Sequence, residues 1–209
     1  MTELYILRHG TTAWNKERRL QGHSDIPLDE DGRALARETG KGMRDIHFDR
    51  CFTSPLIRAR ETAQIVLGDR KIPVQTDERI AERNFGIYEG KPMLQATPAV
   101  RAEIEEMMRF DLQRDYCPPE GESVSQLLER TKDFYLDITQ NPAYENERIL
   151  ISVHGAAGRA IMHAVWGGDF WHGCVPKNCT VCIVRLEHGQ VKDVQQDVEF
   201  YTSEVKEYY

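Results

Sequence analysis

The stretch Leu4-Tyr5-Ile6-Leu7-Arg8-His9-Gly10 sets a short apolar run directly against a cation, an imidazole and a glycine. It reads as a buried strand that delivers a reactive group to the edge of a sheet. Gly10 lets the backbone turn sharply and approach a ligand closely. Arg8 carries a planar fork of donors suited to phosphate. His9 is the side chain type that serves as a neutral nucleophile near pH 7. Alone, the tripeptide could equally be chance, so its meaning depends on partners elsewhere in the chain.

One partner repeats the same design. Ile149-Leu150-Ile151-Ser152-Val153 is a second apolar strand, and it too ends in a histidine and a glycine, His154-Gly155, ahead of a helix over 156–166. Between the two strands the pattern alternates. The polar loop Thr11 to Asp29 holds Asn15, Arg18, Arg19, Gln21 and Gly22, and its length after His9 marks it as functional. Asp29 caps a helix over 30–45, whose glycines 32, 40 and 42 imply tight packing against the sheet. Residues 49–53 form a strand, after which Ser54 as N-cap and Pro55 at the first helical position start a helix with Arg58 in its first turn. A short strand falls at 72–76, followed by the loop Ala81 to Gly90 with Glu82 and Glu89.

Residues 92–116 are loosely helical, rich in methionine and mixed charge, and read as a cap. Ser123 and Gln126 form a capping box for a helix over 124–140. Strands at 179–186 and 190–197 turn at His188-Gly189, and the tail 198–209 has no assignment. Strands alternating with helices predict an α/β fold, a three-layer α/β/α sandwich on a mostly parallel mixed sheet. The expected organisation is one domain over 1–209 with a small helical cap inserted at about 88–120.

Composition bounds the partners. The 209 residues include 27 Lys+Arg against 34 Asp+Glu, a net charge of -7, which argues against nucleic acid and against an anionic membrane surface. An anionic substrate would therefore need a local arginine cluster. No apolar run reaches membrane-spanning length, and the first residues lack the basic and apolar regions expected of a signal peptide. Five sparse cysteines read as reduced thiols of a cytoplasmic protein. Cys179 and Cys182, on a predicted strand, would face opposite ways and read as ordinary thiols rather than a metal or redox pair. A homo-oligomer is compatible with the sequence.

In open α/β sheets, ligands bind outside the carboxyl ends of the strands. His9, His154 and Arg8 sit at such ends, and Arg58 joins them from a helix N-terminus that itself favours anions. Two guanidiniums and two imidazoles around one point suit phosphoryl transfer, whose transition state spreads negative charge over three oxygens. Paired histidines also bind metals, but adjacent arginines repel a divalent cation and no carboxylate adjoins either histidine. No metal and no cofactor are expected.

The segment Leu7-Arg8-His9-Gly10-Thr11-Thr12-Ala13-Trp14-Asn15 resembles the signature of the histidine phosphatase superfamily, in its phosphoglycerate-mutase-like branch. Arg19 to Leu28, Ser54-Pro55-Leu56-Ile57-Arg58-Ala59 with Thr62-Ala63, Glu82 before Phe85-Gly86, Gly121-Glu122-Ser123 and Val153-His154-Gly155 follow in the family's order. The resemblance implies that His9 is a nucleophile forming a phosphohistidine, and that Arg8, Arg58 and His154 hold the phosphate. It further implies that Asn15, Gln21, Gly22 and Gly155 contact phosphate or orient the site. Glu82 would protonate the leaving oxygen and then activate water. Glu89 reads as structural, and Asn15 has a rival role in pinning its loop.

Phosphatase and cofactor-dependent mutase are the two enzyme readings the resemblance offers. The mutases carry a basic insertion after the glutamate loop; here Glu103, Glu105 and Glu106 dilute Arg101, Arg109 and Arg114. A phosphomonoester hydrolase is therefore favoured, with a mutase second and a non-catalytic phosphate-binding scaffold third. The partner is a small phosphorylated metabolite: a sugar phosphate, a phosphoglycerate, a nucleotide-like phosphate or a phosphorylated cofactor precursor.

Overall fold

The computed structural model describes residues 1–92, 97–108, 112–167 and 175–202. Arg109 and most of the tail lie outside the described residues.

Six strands form one sheet: β1 (Thr2–Arg8), β2 (Arg50–Thr53), β3 (Val74–Thr76), β4 (Arg148–Val153), β5 (Val181–Glu187) and β6 (Gln190–Val198), in the order β3-β2-β4-β1-β5-β6. The first four in that order run parallel, and β5 and β6 are antiparallel. The helices are α1 (Ala13–Lys16), α2 (Glu30–Gly42), α3 (Ile57–Leu67), α4 (Pro98–Met108), α5 (Val124–Gln140) and α6 (Gly155–Trp166).

Side-chain alternation along the strands builds the two cores. Leu4, Ile6, Ile149 and Ile151 pack against Phe134 and Ile138 of α5 and Ile161 and Met162 of α6. Tyr5, Leu7 and Leu150 turn the other way onto Leu35 of α2, Met43 at its C-cap, and Ala63 and Val66 of α3. The result is the three-layer α/β/α sandwich. A third cluster joins Leu20, Phe85 and Tyr88 to Ile104 and Met107 of α4, which attaches this helix to the loops after β1 and β3. Among the described residues, no helix is long and apolar enough to cross a membrane.

Local chemistry explains the boundaries. The Asp29 side chain accepts from Gly32 N at 2.7 Å and starts α2. Ser123 and Gln126 form their reciprocal capping box on α5. A second capping box, Thr12 with Asn15, turns the start of the long loop into the helical turn α1, which the polar composition of the loop concealed. Helix α3 starts later than the Ser54-Pro55 pair implies. Its N-cap is Leu56, and Ser54 stays outside the helix, where its Oγ accepts from Leu56 N.

Gly10 also has a different use from the one its sequence suggests. Its φ is not positive; instead a Cβ there would stand 2.7 Å from the Gly32 carbonyl oxygen. Glycine is needed because the start of α2 crosses the backbone directly after His9. A Cβ on Gly32 would stand 2.1 Å from Thr11 O.

Candidate active site at the carboxyl edge of the sheet

Strands β1 and β4 pair in parallel from Glu3↔Arg148 to Arg8↔Val153, so the residues that follow them emerge side by side. His9 and His154 are those residues, with ring centroids 5.1 Å apart. Both rings are buried, 3% and 1% exposed. From β2, the chain passes through Ser54 into α3 and brings Arg58, which is fully buried, beside His154.

The hydrogen bonds define the protonation of each ring. His9 Nδ1 lies 2.6 Å from the Gly10 carbonyl oxygen, which can only accept, so Nδ1 carries the proton. Burial, then the charges of Arg58 and Arg8, hold His9 well below the ordinary histidine pKa, so the ring is neutral and Nε2 keeps its lone pair. His9 lines the cavity described below, and among the described residues no hydrogen bond engages its Nε2. His154 has the opposite tautomer. Its Nδ1 accepts from Arg58 Nε at 3.2 Å, so its Nε2 carries the proton and donates to Ser54 Oγ at 2.7 Å. Burial, then Arg58, keeps it neutral as well.

Arg58 is held from three sides. Besides His154, its Nη1 donates to Ser24 O at 2.9 Å and its Nη2 to Gly22 O at 2.7 Å. These carbonyls belong to the loop after His9, whose shape is fixed by Glu89. The Glu89 carboxylate accepts from the backbone N–H groups of His23, Ser24 and Phe85 and from the Ser24 hydroxyl. Gly22 has φ +52°, and a Cβ there would stand 2.0 Å from Glu89 Oε1. Glu89 is therefore structural, acting through hydrogen bonds to the backbone.

Glu82 closes the other side. Its carboxylate accepts from Ala157 N at 3.0 Å, Ala156 N at 3.2 Å and its neighbour Arg83 N at 2.9 Å. It thus sits over the N-terminus of α6, where the helix dipole favours an anion. Arg8 donates through Nη1 to Pro176 O. A Cβ on Gly155 would lie 3.8 Å from Glu82 Oε2 and 3.9 Å from Arg8 Cζ, which marks the point where the two side chains converge.

A cavity of about 170 Å³ opens here, lined by Arg8, His9, Gln21, Gly22, Arg58, Glu82 and Gly155 among others. Of the residues expected from sequence, Asn15 and His154 do not line it. Asn15 is fully buried, engaged with Thr12 in the capping box that pins the loop, and His154 stands behind Arg58. Seven lining residues were not among the expected site residues: Arg19, Leu20, Phe85, Met108, Ala156, Arg159 and Val175. Arg159 had a signal, since it lies four residues after Gly155 and hence on the same helix face.

Among the described residues, no cluster of His, Cys, Asp and Glu has the makings of a metal site. Cys179 precedes β5 at a positive φ instead of lying on the strand, and it and Cys182 join opposite cores. Burial pushes the Cys179 thiol up to about 12 and that of Cys182 to about 11, which makes both poor nucleophiles.

Fold and site together define an α/β/α protein with two neutral histidines and two buried arginines at the carboxyl edge of its sheet. The chain belongs to the histidine phosphatase superfamily (branch 1), whose profile matches residues 4–196. The uncharacterized phosphatase PhoE of Bacillus subtilis (strain 168) is 35% identical over 169 residues, spanning 81% of this chain and 80% of its own. A probable phosphoglycerate mutase, GpmB of Erwinia tasmaniensis, is 32% identical over 194 residues, or 91% and 86% of the two chains. The solved structure of Bacillus stearothermophilus YhfR superposes with a TM-score of 0.81 at 32% identity, covering 97% of this chain and 98% of its own. The relatives thus include both enzyme types that the sequence left in competition.

Proposed function

We propose that this protein is a metal-independent phosphomonoester hydrolase acting on small phosphorylated metabolites through a phosphohistidine at His9. The observation that carries the reading is the His9 tautomer: Nδ1–H is fixed on Gly10 O, and the unprotonated Nε2 belongs to a ring on the cavity wall. In the first step Nε2 attacks phosphorus, the N–P bond forms and the P–O ester bond breaks. Glu82, entering this step as the neutral acid with a proton taken from solvent, gives that proton to the departing oxygen. In the second step Glu82 takes a proton from water, whose oxygen attacks phosphorus and displaces His9. Arg8, Arg58 and the N-terminus of α6 face the charge on the transferred group. His154 serves by positioning Arg58, and Asn15 by shaping the loop that carries Gln21 and Gly22.

The cap favours hydrolase over mutase. Arg101 is exposed, and Arg114, also exposed, pairs with Glu106 at 2.5 Å, while the α4 residue on the cavity wall is the uncharged Met108. A second anionic ligand held from the cap would need cations there. Free thiols at Cys51, Cys117, Cys179 and Cys182 fit a cytoplasmic enzyme.

The test is hydrolysis of p-nitrophenyl phosphate and of alkyl phosphates in the presence of a chelator, with acid-labile phosphate assayed on the protein. Wild type should release phosphate and carry the label, and His9→Ala should do neither. Glu82→Gln should slow alkyl phosphates far more than p-nitrophenyl phosphate, whose leaving group needs no proton. Interconversion of phosphoglycerates with little hydrolysis would make the chain a mutase. An unlabelled, inactive wild type would make it a scaffold.

A further inference from the structure

We propose that Asn178 is a positioning residue for the nucleophile, holding the carbonyl oxygen that sets the His9 tautomer; the inference rests on the phosphohistidine reading above. The tautomer depends on one acceptor, Gly10 O, which serves only while it points at Nδ1. Glycine has no Cβ to limit its rotation, so the carbonyl needs a restraint from outside. Asn178 supplies it. Its Nδ2 donates to Gly10 O at 3.2 Å and to His9 O at 2.9 Å, one proton of the amide to each carbonyl. Both oxygens can only accept, so the amino end of the side chain must face them. Asn178 is 3% exposed, which keeps water from competing for either bond.

The fold brings Asn178 to this place. The antiparallel ladder between β1 and β5 continues past Leu7↔Val181, with Arg8 N donating to Thr180 O at 3.1 Å and Cys179 N to Arg8 O at 3.0 Å. Thr180 N and Oγ1 both return to Lys177 O, at 3.2 and 2.7 Å, closing a turn in which Cys179 has φ +59°. Asn178 stands in that turn, against the first residues after β1. From the other side, Gly10 N donates to Thr62 Oγ1 of α3 at 3.0 Å. The peptide between His9 and Gly10 is thus gripped at its oxygen by Asn178 and at its nitrogen by Thr62.

The consequence falls on chemistry rather than binding. As Nε2 bonds to phosphorus the ring becomes more positive, and Nδ1–H then donates more strongly to an acceptor already in place. Were Gly10 O free to turn away, the ring could carry its proton on Nε2 instead and would have no lone pair there for phosphorus. Asn178 does not line the cavity, so it acts through His9 and Gly10 and not on the substrate.

The experiment labels the histidine rings with nitrogen-15 in wild type and Asn178→Ala, and identifies the His9 signals by their loss in His9→Ala. Wild type should show a single tautomer protonated at Nδ1, and Asn178→Ala a mixture of both. On p-nitrophenyl phosphate, Asn178→Ala should lose about 10- to 100-fold in kcat with KM nearly unchanged. Asn178→Asp keeps the shape, but its ionised form has no proton for either carbonyl, so its activity should recover as the pH falls. A wild-type kcat in Asn178→Ala, a lower kcat with the tautomer unchanged, or a pH profile of Asn178→Asp parallel to that of wild type would overturn the proposal. If the variants fail to fold, the Asn178 amide of wild type decides. Both its protons should resist exchange into heavy water and shift when vanadate occupies the site, and rapid exchange would overturn the clamp. Absence of hydrolysis by wild type would overturn the hydrolase reading, while the ring spectra would still decide whether Asn178 sets the tautomer.

Discussion

At the floor of the cavity, Arg8 and His9 lie at the end of one central strand, with His154 behind Arg58 at the end of the strand paired with it, whereas at the rim Glu82 and Met108 stand on segments tied to one another by arginine side chains. Arg130 donates to the backbone oxygens of Arg79, Ala81 and Glu82 and pairs with Glu122. Arg83, fully buried, donates to the backbone oxygens of Glu122, Met107 and Tyr116, and so fastens the end of α4 beside Glu82. Burial lowers the Arg83 pKa, with the neighbouring Glu122 charge opposing the shift. The floor thus takes its geometry from the fold itself, while the rim takes its geometry from a few side chains. Floor substitutions should strike chemistry, and rim substitutions should strike stability and substrate binding.

The largest effect expected from this contrast is at Arg58. Arg58→Met removes the donors to Gly22 O, Ser24 O and His154 Nδ1 at once. We expect kcat/KM on p-nitrophenyl phosphate to fall about 10²- to 10³-fold, dominated by kcat. A loss confined to KM would break the distinction between floor and rim.

Next comes Arg83→Met, which takes a donor from the buried Met107 carbonyl and from the part-buried carbonyls of Glu122 and Tyr116. Unfolding in urea should show a loss on the order of 2–4 kcal/mol, and KM should rise more than kcat falls. Unchanged stability would mean that Arg83 does not fasten the cap.

The most gradual effect is the pH dependence of the floor. Both histidines are held well below the ordinary value, first by burial and then by Arg58. Unfolded, they take up protons near pH 6.5; folded, they do so only at lower pH. Within that window the unfolded state binds more protons, so stability falls as the pH drops, by up to about 1.4 kcal/mol per pH unit for each histidine. Urea midpoints at pH 7, 6 and 5 measure this, and His154→Gln should reduce the slope. A flat profile between pH 7 and 5 would contradict the neutral pair.

The same contrast explains what the sequence made legible. The floor could be read because its signals are local: two apolar runs, each ending in His-Gly, and an arginine in the first turn of a helix. The rim could not, because its partners are distant carbonyls. Nothing around Arg83 in the chain announces that its guanidinium meets the backbone of Met107 and Tyr116. Asn15 had two readings, a phosphate contact and a loop pin, and a capping box with Thr12, readable as a spacing of three, engages it inside the loop. Ser54 likewise looked like a helix cap and instead accepts from the His154 ring. Arg159 was within reach of a periodicity argument and was passed over because His154-Gly155 already accounted for the segment.

The central claim is that His9 presents Nε2 to phosphorus because Gly10 O holds Nδ1. Rapid quenching of wild type during turnover, followed by phosphorus-31 NMR of the denatured protein under alkaline conditions, identifies which ring nitrogen carries phosphate. The account predicts phosphate on Nε2 of His9 and none on His9→Ala. Phosphate on Nδ1, or on His154, would contradict it.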